Sequence, residues 1–162
     1  MMRFSLASTI LAFITYIVFT GSATLYDIFT GIIVSIAIGF IIGGFVVKDE
    51  KKAFNPVRWF WAIVYFLKYI IVIEAKAHLN VIKLLFTGKY EPGIVKVPLD
   101  AESGYAKVLV ANSITNTPGT VVVDIDDKYL YVNWINVLTE DPMKAKEYIS
   151  LEFEKYAKKI FD

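Results

Sequence analysis

Cysteine is absent from this sequence of 162 residues, and histidine occurs once, as His78. The lack of cysteine excludes disulfides, thiol catalysis, thiolate zinc sites and iron–sulfur ligation. A single histidine also excludes a histidine-rich metal site within the chain. The net charge is close to zero, at +1, which gives no support for a nucleic-acid partner. We therefore expect a non-catalytic protein that holds no metal and no cofactor.

Two long segments near the N-terminus lack charged side chains. The first runs from Phe4 to Tyr26, and the second runs from Ile28 to Val47 after Asp27. Each approaches or exceeds the ~20 residues that a helix needs to cross ~30 Å of hydrocarbon. A signal peptide explains the first segment poorly, because a second segment follows it closely and Arg3 is the only basic residue before it. The pattern predicts two membrane spans.

The charges that flank these spans indicate their orientation, and small residues on the second span indicate a packing surface. The loop at 48–58 contains Lys48, Lys51, Lys52 and Arg58, whereas the opposite turn at 21–27 carries only Asp27. Because cationic residues mark the cytoplasmic side of a span, we place the N-terminus and the 48–58 loop in the cytoplasm. Gly31, Ser35 and Gly39 repeat every four residues, so they share a face that another helix can approach closely.

A third helix is predicted between Pro56 and Gly88, because neither proline nor glycine interrupts the sequence from Val57 to Phe86. At about 100° per residue, its cations and Asn80 fall within an arc of about 80°. They form a basic stripe: Arg58, Lys68, Lys76 and Lys83. The rest of the helix is aromatic and aliphatic, as in helices that lie in the membrane interface. We expect a shallow or steeply tilted helix on the cytoplasmic side; a full crossing is the alternative.

Glu74 and His78 are four residues apart on this helix and lie roughly opposite the basic stripe. They can therefore interact with each other while they face apolar neighbours. Ionisable residues in such surroundings either handle protons or anchor the helix to another subunit. Contact with headgroups or water is a third explanation, and the sequence leaves the three open.

The last part of the chain predicts a small α+β domain. Strands are indicated at 94–98, 120–125 and 129–135, and helices at 102–114 and from Asp141 onwards, in the order β-α-β-β-α. The predicted division is 1–90 for the membrane helices and 91–162 for a cytoplasmic domain. The charged residues of the final helix are expected to be solvated: Lys144, Lys146, Glu147, Glu152, Glu154, Lys155, Lys158 and Lys159.

A distinctive polar string joins the first helix of this domain to its second strand, and we call residues 111–120 the corner motif. Its sequence is Ala-Asn-Ser-Ile-Thr-Asn-Thr-Pro-Gly-Thr. Polar side chains at a helix end can bind nearby backbone, and a Pro-Gly pair favours a turn. The motif is therefore either a helix-to-strand corner or a docking surface, with these residues involved: Asn112, Ser113, Thr115, Thr117, Pro118, Gly119 and Thr120.

The corner motif, followed by Val121-Val122-Val123-Asp124 and Leu130-Tyr131-Val132, resembles the E-type subunits of the multisubunit Mrp-type sodium/proton antiporters. The order of two spans, a helix with one acidic residue and a small domain is similar too. The resemblance implies an accessory component of a multi-pass assembly in the cell membrane. Its partners would be the bilayer and other antiporter-module subunits, either in a stand-alone antiporter or in an energy-converting complex such as a membrane-bound hydrogenase or sulfur reductase. It implies a role in assembly and a lateral ion contact at Glu74. The alternative is a membrane-anchored adaptor that recruits a soluble partner through residues 91–162.

Overall fold

The computed structural model describes residues 4–162. Arg3, which entered the argument about the first segment, lies outside these residues. The chain folds into two compact units, one up to Pro56 and one from Val57. From residue 4 onwards, the regular elements of the first unit are helices: α1 (Leu6–Thr20), α2 (Leu25–Ile41) and the single turns α3 (Gly43–Val46) and α4 (Glu50–Ala53).

The helices α1 and α2 are shorter than the two uncharged segments. They hold 15 and 17 residues, because local signals end the first helix and start the second inside the uncharged sequence. Gly21 adopts a left-handed conformation with φ 62° and closes α1. Thr24 and Asp27 form a capping box that opens α2. Both helices thus fall below the ~20 residues of a full span, and the expected count of two spans is not confirmed.

The face of small residues on α2 packs against α1 of the same chain. A Cβ atom added at Gly31 would lie 2.8 Å from Cδ1 of Tyr16, and one added at Gly39 would overlap the hydroxyl of Thr9. The amide of Ser5 donates to the carbonyl of Gly39 at 3.2 Å, so the two backbones touch. The helix that approaches this face closely is therefore α1.

The second unit contains a long helix, a sheet and three further helices. The long helix (Pro56–Thr87) consists of α5 (Pro56–Lys68), a π-helical segment (Tyr69–Glu74) and α6 (Ala75–Thr87). Among the described residues it is the helix whose length and mean hydropathy of 1.5 suffice to cross a membrane. The remaining elements are β1 (Gly93–Pro98), α7 (Gly104–Asn116), β2 (Thr120–Ile125), β3 (Tyr129–Trp134), α8 (Pro142–Ile149) and α9 (Leu151–Phe161).

The three strands form an antiparallel sheet in the order β1-β3-β2. One face of the sheet is buried under α7, α8 and α9, and alternate residues supply it: Val95, Val97, Leu130, Val132 and Trp134. The small three-stranded domain expected from the sequence is confirmed, with the final helix broken at Ser150. Ser150 is fully buried, and its amide still donates to the carbonyl of Lys146.

The long helix packs on this domain instead of standing apart from it. Tyr65, Tyr69 and Ile73 join the hydrophobic core beside Phe153 and Ile114. The division at residue 90 stays a prediction from the sequence; the second compact unit begins at Val57 and so includes the long helix. The reason is that one side of the long helix supplies core residues to the domain that follows it.

A buried ion pair links α8, α9 and the end of β1. Lys146 and Glu154 are only 4% and 2% exposed, and their charged atoms lie 2.9 Å apart. Lys146 also donates to the carboxylate of Asp100 at 2.6 Å, and Ser150 donates to Glu154 at 2.8 Å. The expectation that Lys146 and Glu154 would be solvated is wrong, because each finds a partner across the break at Ser150.

These contacts shift the pKa values of the partners. The hydrogen bond from Lys146 lowers the pKa of Asp100 below its ordinary value. Burial would lower the pKa of Lys146, but hydrogen bonds to Asp100 and Glu154 outweigh it and raise that pKa. Both shifts favour the charged forms.

Candidate functional site

The hydroxyl groups of the corner motif bind the backbone of the turn that they form. Ser113 donates to the carbonyl of Leu109 at 2.7 Å, and Thr117 donates to the carbonyl of Ser113 at 2.7 Å. Thr120 reaches back to the carbonyl of Ile114 at 2.8 Å. The carbonyls of Ser113 and Ile114 also accept the amide of Thr117, so the hydroxyl groups add second bonds at the end of α7.

The rest of the motif shapes the turn into β2. The amide of Val122 donates to the hydroxyl of Thr115 at 3.2 Å, so Thr115 caps a backbone group of an edge strand. Gly119 has φ 96°, a value that favours glycine, and its carbonyl accepts from the amide of Ile135 at 2.9 Å. Pro118 is half-buried beside it. This geometry is that of a helix-to-strand corner.

The two asparagines of the motif take no part in these bonds. Asn112 and Asn116 are exposed, and neither side chain makes a hydrogen bond to the other described residues. The expectation that they would bind local backbone is therefore wrong. They lie on the outer side of α7, in line with the exposed Tyr105 and Val108 at helical spacing.

Two tyrosines of the long helix dock onto the corner motif. The hydroxyl of Tyr65 is hydrogen-bonded to the hydroxyl of Ser113. The hydroxyl of Tyr69 lies 3.4 Å from both the carbonyl of Ser113 and the hydroxyl of Thr117. The rings of Tyr65 and Tyr69 are 5.9 Å apart. Sequence reasoning missed this contact, although two tyrosines four residues apart in an apolar helix hint at a polar partner on that side.

The basic stripe is split between two surroundings. Arg58 donates to the carbonyl of Ile160 at 2.9 Å, and Lys68 forms an ion pair with Glu152. Lys76 and Lys83 are exposed. The first half of the stripe therefore holds the C-terminal helix, and only the second half faces outward.

Glu74 and His78 lie next to each other, as their spacing predicts. The Nδ1 atom of His78 lies 2.8 Å from the backbone carbonyl of Glu74 and 3.5 Å from its Oε2 atom. The Glu74 side chain is 21% exposed, whereas that of His78 is 62% exposed. The Oε1 atom of Glu74 is buried and accepts no hydrogen bond from the described residues. A buried acceptor without a donor costs about 1–3 kcal/mol, so a donor from a neighbouring molecule would stabilise this carboxylate.

Glu74 is the last residue of the π-helical segment, whose wider turns alter the ordinary helical phase. Such segments are rare and occur frequently at functional sites. Across residues 4–162, no cluster of three or more histidine, aspartate or glutamate side chains is arranged to hold a metal ion. The site can thus offer hydrogen bonds, charge and a protonatable carboxylate.

Comparison with known proteins identifies relatives over most of the chain. The family described as Na+/H+ ion antiporter subunit matches residues 9–160. The E-type antiporter subunit of Alkalihalophilus pseudofirmus is 30% identical over 146 residues, which cover 88% of this chain and 89% of that protein. The E1 antiporter subunit of Staphylococcus haemolyticus is 33% identical over 160 residues, with 93% and 92% coverage.

A solved structure is similar over nearly the whole chain. It is a chain of the membrane-bound sulfane sulfur reductase, an archaeal respiratory membrane complex, with a TM-score of 0.82 and 30% identity. The match covers 96% of this chain and 98% of that one. With a family match across 9–160 and relatives aligned over most of their own length, this chain belongs to the family of E-type subunits of the multisubunit Na+/H+ antiporters.

Proposed function

We propose that this chain is an accessory, non-catalytic membrane subunit of a cation/proton antiporter module. The match to the antiporter subunit family over residues 9–160 carries the proposal. The solved relative from a respiratory membrane complex supports an energy-converting assembly as a second setting beside a stand-alone antiporter. Its partners are the other membrane subunits of the module and the lipid bilayer.

The long helix lies along the cytoplasmic face of the membrane in this proposal. Its contacts with the C-terminal domain run from Arg58, which binds Ile160, to Val81, which lies beside Gly119. That stretch is about 35 Å long at 1.5 Å per residue. If the helix crossed the bilayer, the charged helix α9 would have to enter hydrocarbon with it, which is costly. A position in the interface avoids that cost and keeps residues 91–162 in the cytoplasm.

The outer side of the long helix is the surface offered to lipid and sister subunits. Its large apolar side chains are half to nine-tenths exposed, which far exceeds the scattered exposure of a soluble monomer. They include Trp59, Phe60, Ile63, Phe66, Leu67, Ile70, Ile71 and Phe86.

The carboxylates within α1, α2 and the long helix are Asp27 and Glu74. The carboxylate of Asp27 is part of the capping box at the start of α2. A proton or sodium route through a membrane needs a series of ionisable groups. The neighbouring subunits therefore supply the route, and this chain contributes assembly and one lateral contact at Glu74.

Reconstitution tests the main proposal. The purified full chain in proteoliposomes should show no sodium-dependent proton exchange, whereas the complete module should show it. A labelling experiment on intact cells should find residues 91–162 protected from an impermeant reagent. Sodium-dependent exchange by the chain alone would refute the accessory role.

Variants at Glu74 separate a proton-handling group from a polar anchor. If Glu74 handles protons, Glu74→Gln should assemble normally and weaken ion-coupled growth at high sodium. If it anchors the helix, Glu74→Ala should reduce the amount of this chain that copurifies with the module. The matched control is Lys76→Gln, an exposed neighbour on the same helix. Wild-type assembly and transport in both Glu74 variants would exclude both roles.

The second candidate function is an adaptor that recruits a soluble partner. The exposed stripe on α7 favours it, because Tyr105 and Val108 are 45% and 58% exposed next to the unpaired amide of Asn112. Affinity purification of the full chain from detergent extracts discriminates. If only membrane subunits copurify with the chain, the result supports the antiporter module. If a soluble protein copurifies in stoichiometric amount and is lost from the Val108→Asp variant, the result supports the adaptor.

A further inference from the structure

A pocket of about 380 Å³ lies between the long helix and the helices α8 and α9. Its lining consists of Leu151, Tyr156 and five charged side chains: Lys68, Glu147, Glu152, Lys155 and Lys159. The function proposed above does not use this pocket. The sequence predicts a solvated surface for Lys155 and Lys159 and assigns Lys68 to the basic stripe.

The charges in the pocket do not cancel. Lys68 forms an ion pair with Glu152, and the ammonium of Lys159 lies 3.6 Å from the ring centre of Trp61. Lys155 forms no ion pair within residues 4–162. Of the two carboxylates only Glu147 is left to oppose Lys155 and Lys159, so the pocket presents net positive charge to an incoming group.

An apolar surface begins directly beside these cations. Phe60, Val64 and Lys68 are spaced by four and therefore line one ridge of the long helix. Phe60 is 58% exposed and packs edge-on against Trp61 with ring centres 5.5 Å apart. Ile71, one turn after Lys68, is 66% exposed. A cationic pocket thus borders a strip that can accept hydrocarbon.

We propose that this pocket binds the phosphodiester headgroup of an anionic phospholipid. The phosphate sits between Lys155 and Lys159, and the acyl chains lie along Phe60 and Ile71. Basic pockets on the cytoplasmic side of membrane proteins bind anionic headgroups in this way. The inference rests on the interfacial position of the long helix proposed above, and it adds a specific lipid site to it. The adjoining apolar strip selects a lipid over free phosphate.

Native mass spectrometry of the purified full chain in neutral detergent tests the site. Phosphatidylglycerol is titrated against phosphatidylcholine, and inorganic phosphate is added in a separate arm. The variant Lys155→Gln/Lys159→Gln removes the two cations of the pocket. The matched control is Lys128→Gln/Lys144→Gln, which removes two exposed lysines elsewhere on the same unit.

The wild-type chain should retain phosphatidylglycerol in preference to phosphatidylcholine, and the pocket variant should lose about tenfold or more of that affinity. The control variant should keep the affinity for phosphatidylglycerol, and so should Lys155→Arg/Lys159→Arg, which keeps both positive charges. Equal losses in the two glutamine variants, no preference for the anionic lipid, or displacement of the lipid by millimolar phosphate would overturn the proposal. Because no other subunit is present, failure here leaves the assembly test of the proposed function untouched.

Discussion

Replacing Ser113 by alanine should destabilise this protein more than replacing Tyr65 by phenylalanine, although both changes break the same hydrogen bond. The difference in stability follows from which of the two hydroxyl groups donates the hydrogen bond. A serine hydroxyl has one hydrogen to donate, and that of Ser113 is used on the carbonyl of Leu109 at 2.7 Å. Tyr65 must therefore be the donor in the bond that joins the long helix to the corner motif.

The two substitutions leave different groups behind. Tyr65→Phe removes the donor, and the Ser113 hydroxyl keeps its own bond to Leu109, so the loss is about 0.5–1.5 kcal/mol. Ser113→Ala leaves the tyrosine hydroxyl without its acceptor in a side chain that is only 7% exposed. An unsatisfied donor of this kind costs about 1–3 kcal/mol. The double variant lacks this donor. Its loss of stability should therefore be about 1 kcal/mol smaller than the sum of the losses of the two single variants.

Thermal unfolding of the full chain in detergent, followed by near-ultraviolet circular dichroism of the aromatic residues, measures the difference. For a chain of this size, each kcal/mol lowers the melting temperature by about 2–4 °C. A loss for Tyr65→Phe equal to or larger than that for Ser113→Ala, or strict additivity in the double variant, would refute the assigned direction of the bond.

Three further stability predictions and one pH prediction follow from described contacts. Lys146→Met should cost about 3–5 kcal/mol, because it strands a buried carboxylate, and Lys146→Met/Glu154→Leu should recover most of that loss in chemical unfolding. Gly39→Val should cost about 1–3 kcal/mol through overpacking of the helix pair, and a melting temperature equal to wild type would contradict this. Asn112→Ala should change stability by less than about 0.5 kcal/mol, since its amide is exposed; a larger drop would show a missed local bond. Because the pKa of Asp100 is lowered from 3.8 in the folded state, its contribution is present at neutral pH and is lost as the pH falls below that value. Since Asp100 is largely exposed, the effect is below about 1 kcal/mol, and an Asp100→Asn variant should lose this part of the acid dependence.

The sequence predicts the small domain well because its signals are local. A run of β-branched residues defines β2 at Thr120–Ile125, and the pair Asp126-Asp127 makes the turn to β3. The corner is predictable for the same reason, since Pro118-Gly119 and the nearby hydroxyls act within a few residues of each other.

The contacts that the sequence does not reveal join residues far apart in the chain. Arg58 belongs to a basic stripe by helical phase, but only the fold shows that it binds Ile160, 102 residues away. Lys146 and Glu154 look like ordinary surface charges, because the break at Ser150 that brings them together has no proline or glycine to mark it. Hydrophobic patterns assign sides of a helix but do not say which side meets which partner.

The π-helical segment Tyr69–Glu74 sets the rotational phase between the two halves of the long helix. Ahead of it, Tyr65 is buried in the domain, and behind it Leu84 is buried again. Removing a single residue between these anchors would turn everything that follows by about 100°, so that Leu84 would leave its packed position and Glu74 and His78 would change direction together. The number of residues in this stretch is therefore constrained more tightly than their identity, and related chains should keep its length even where they change its side chains.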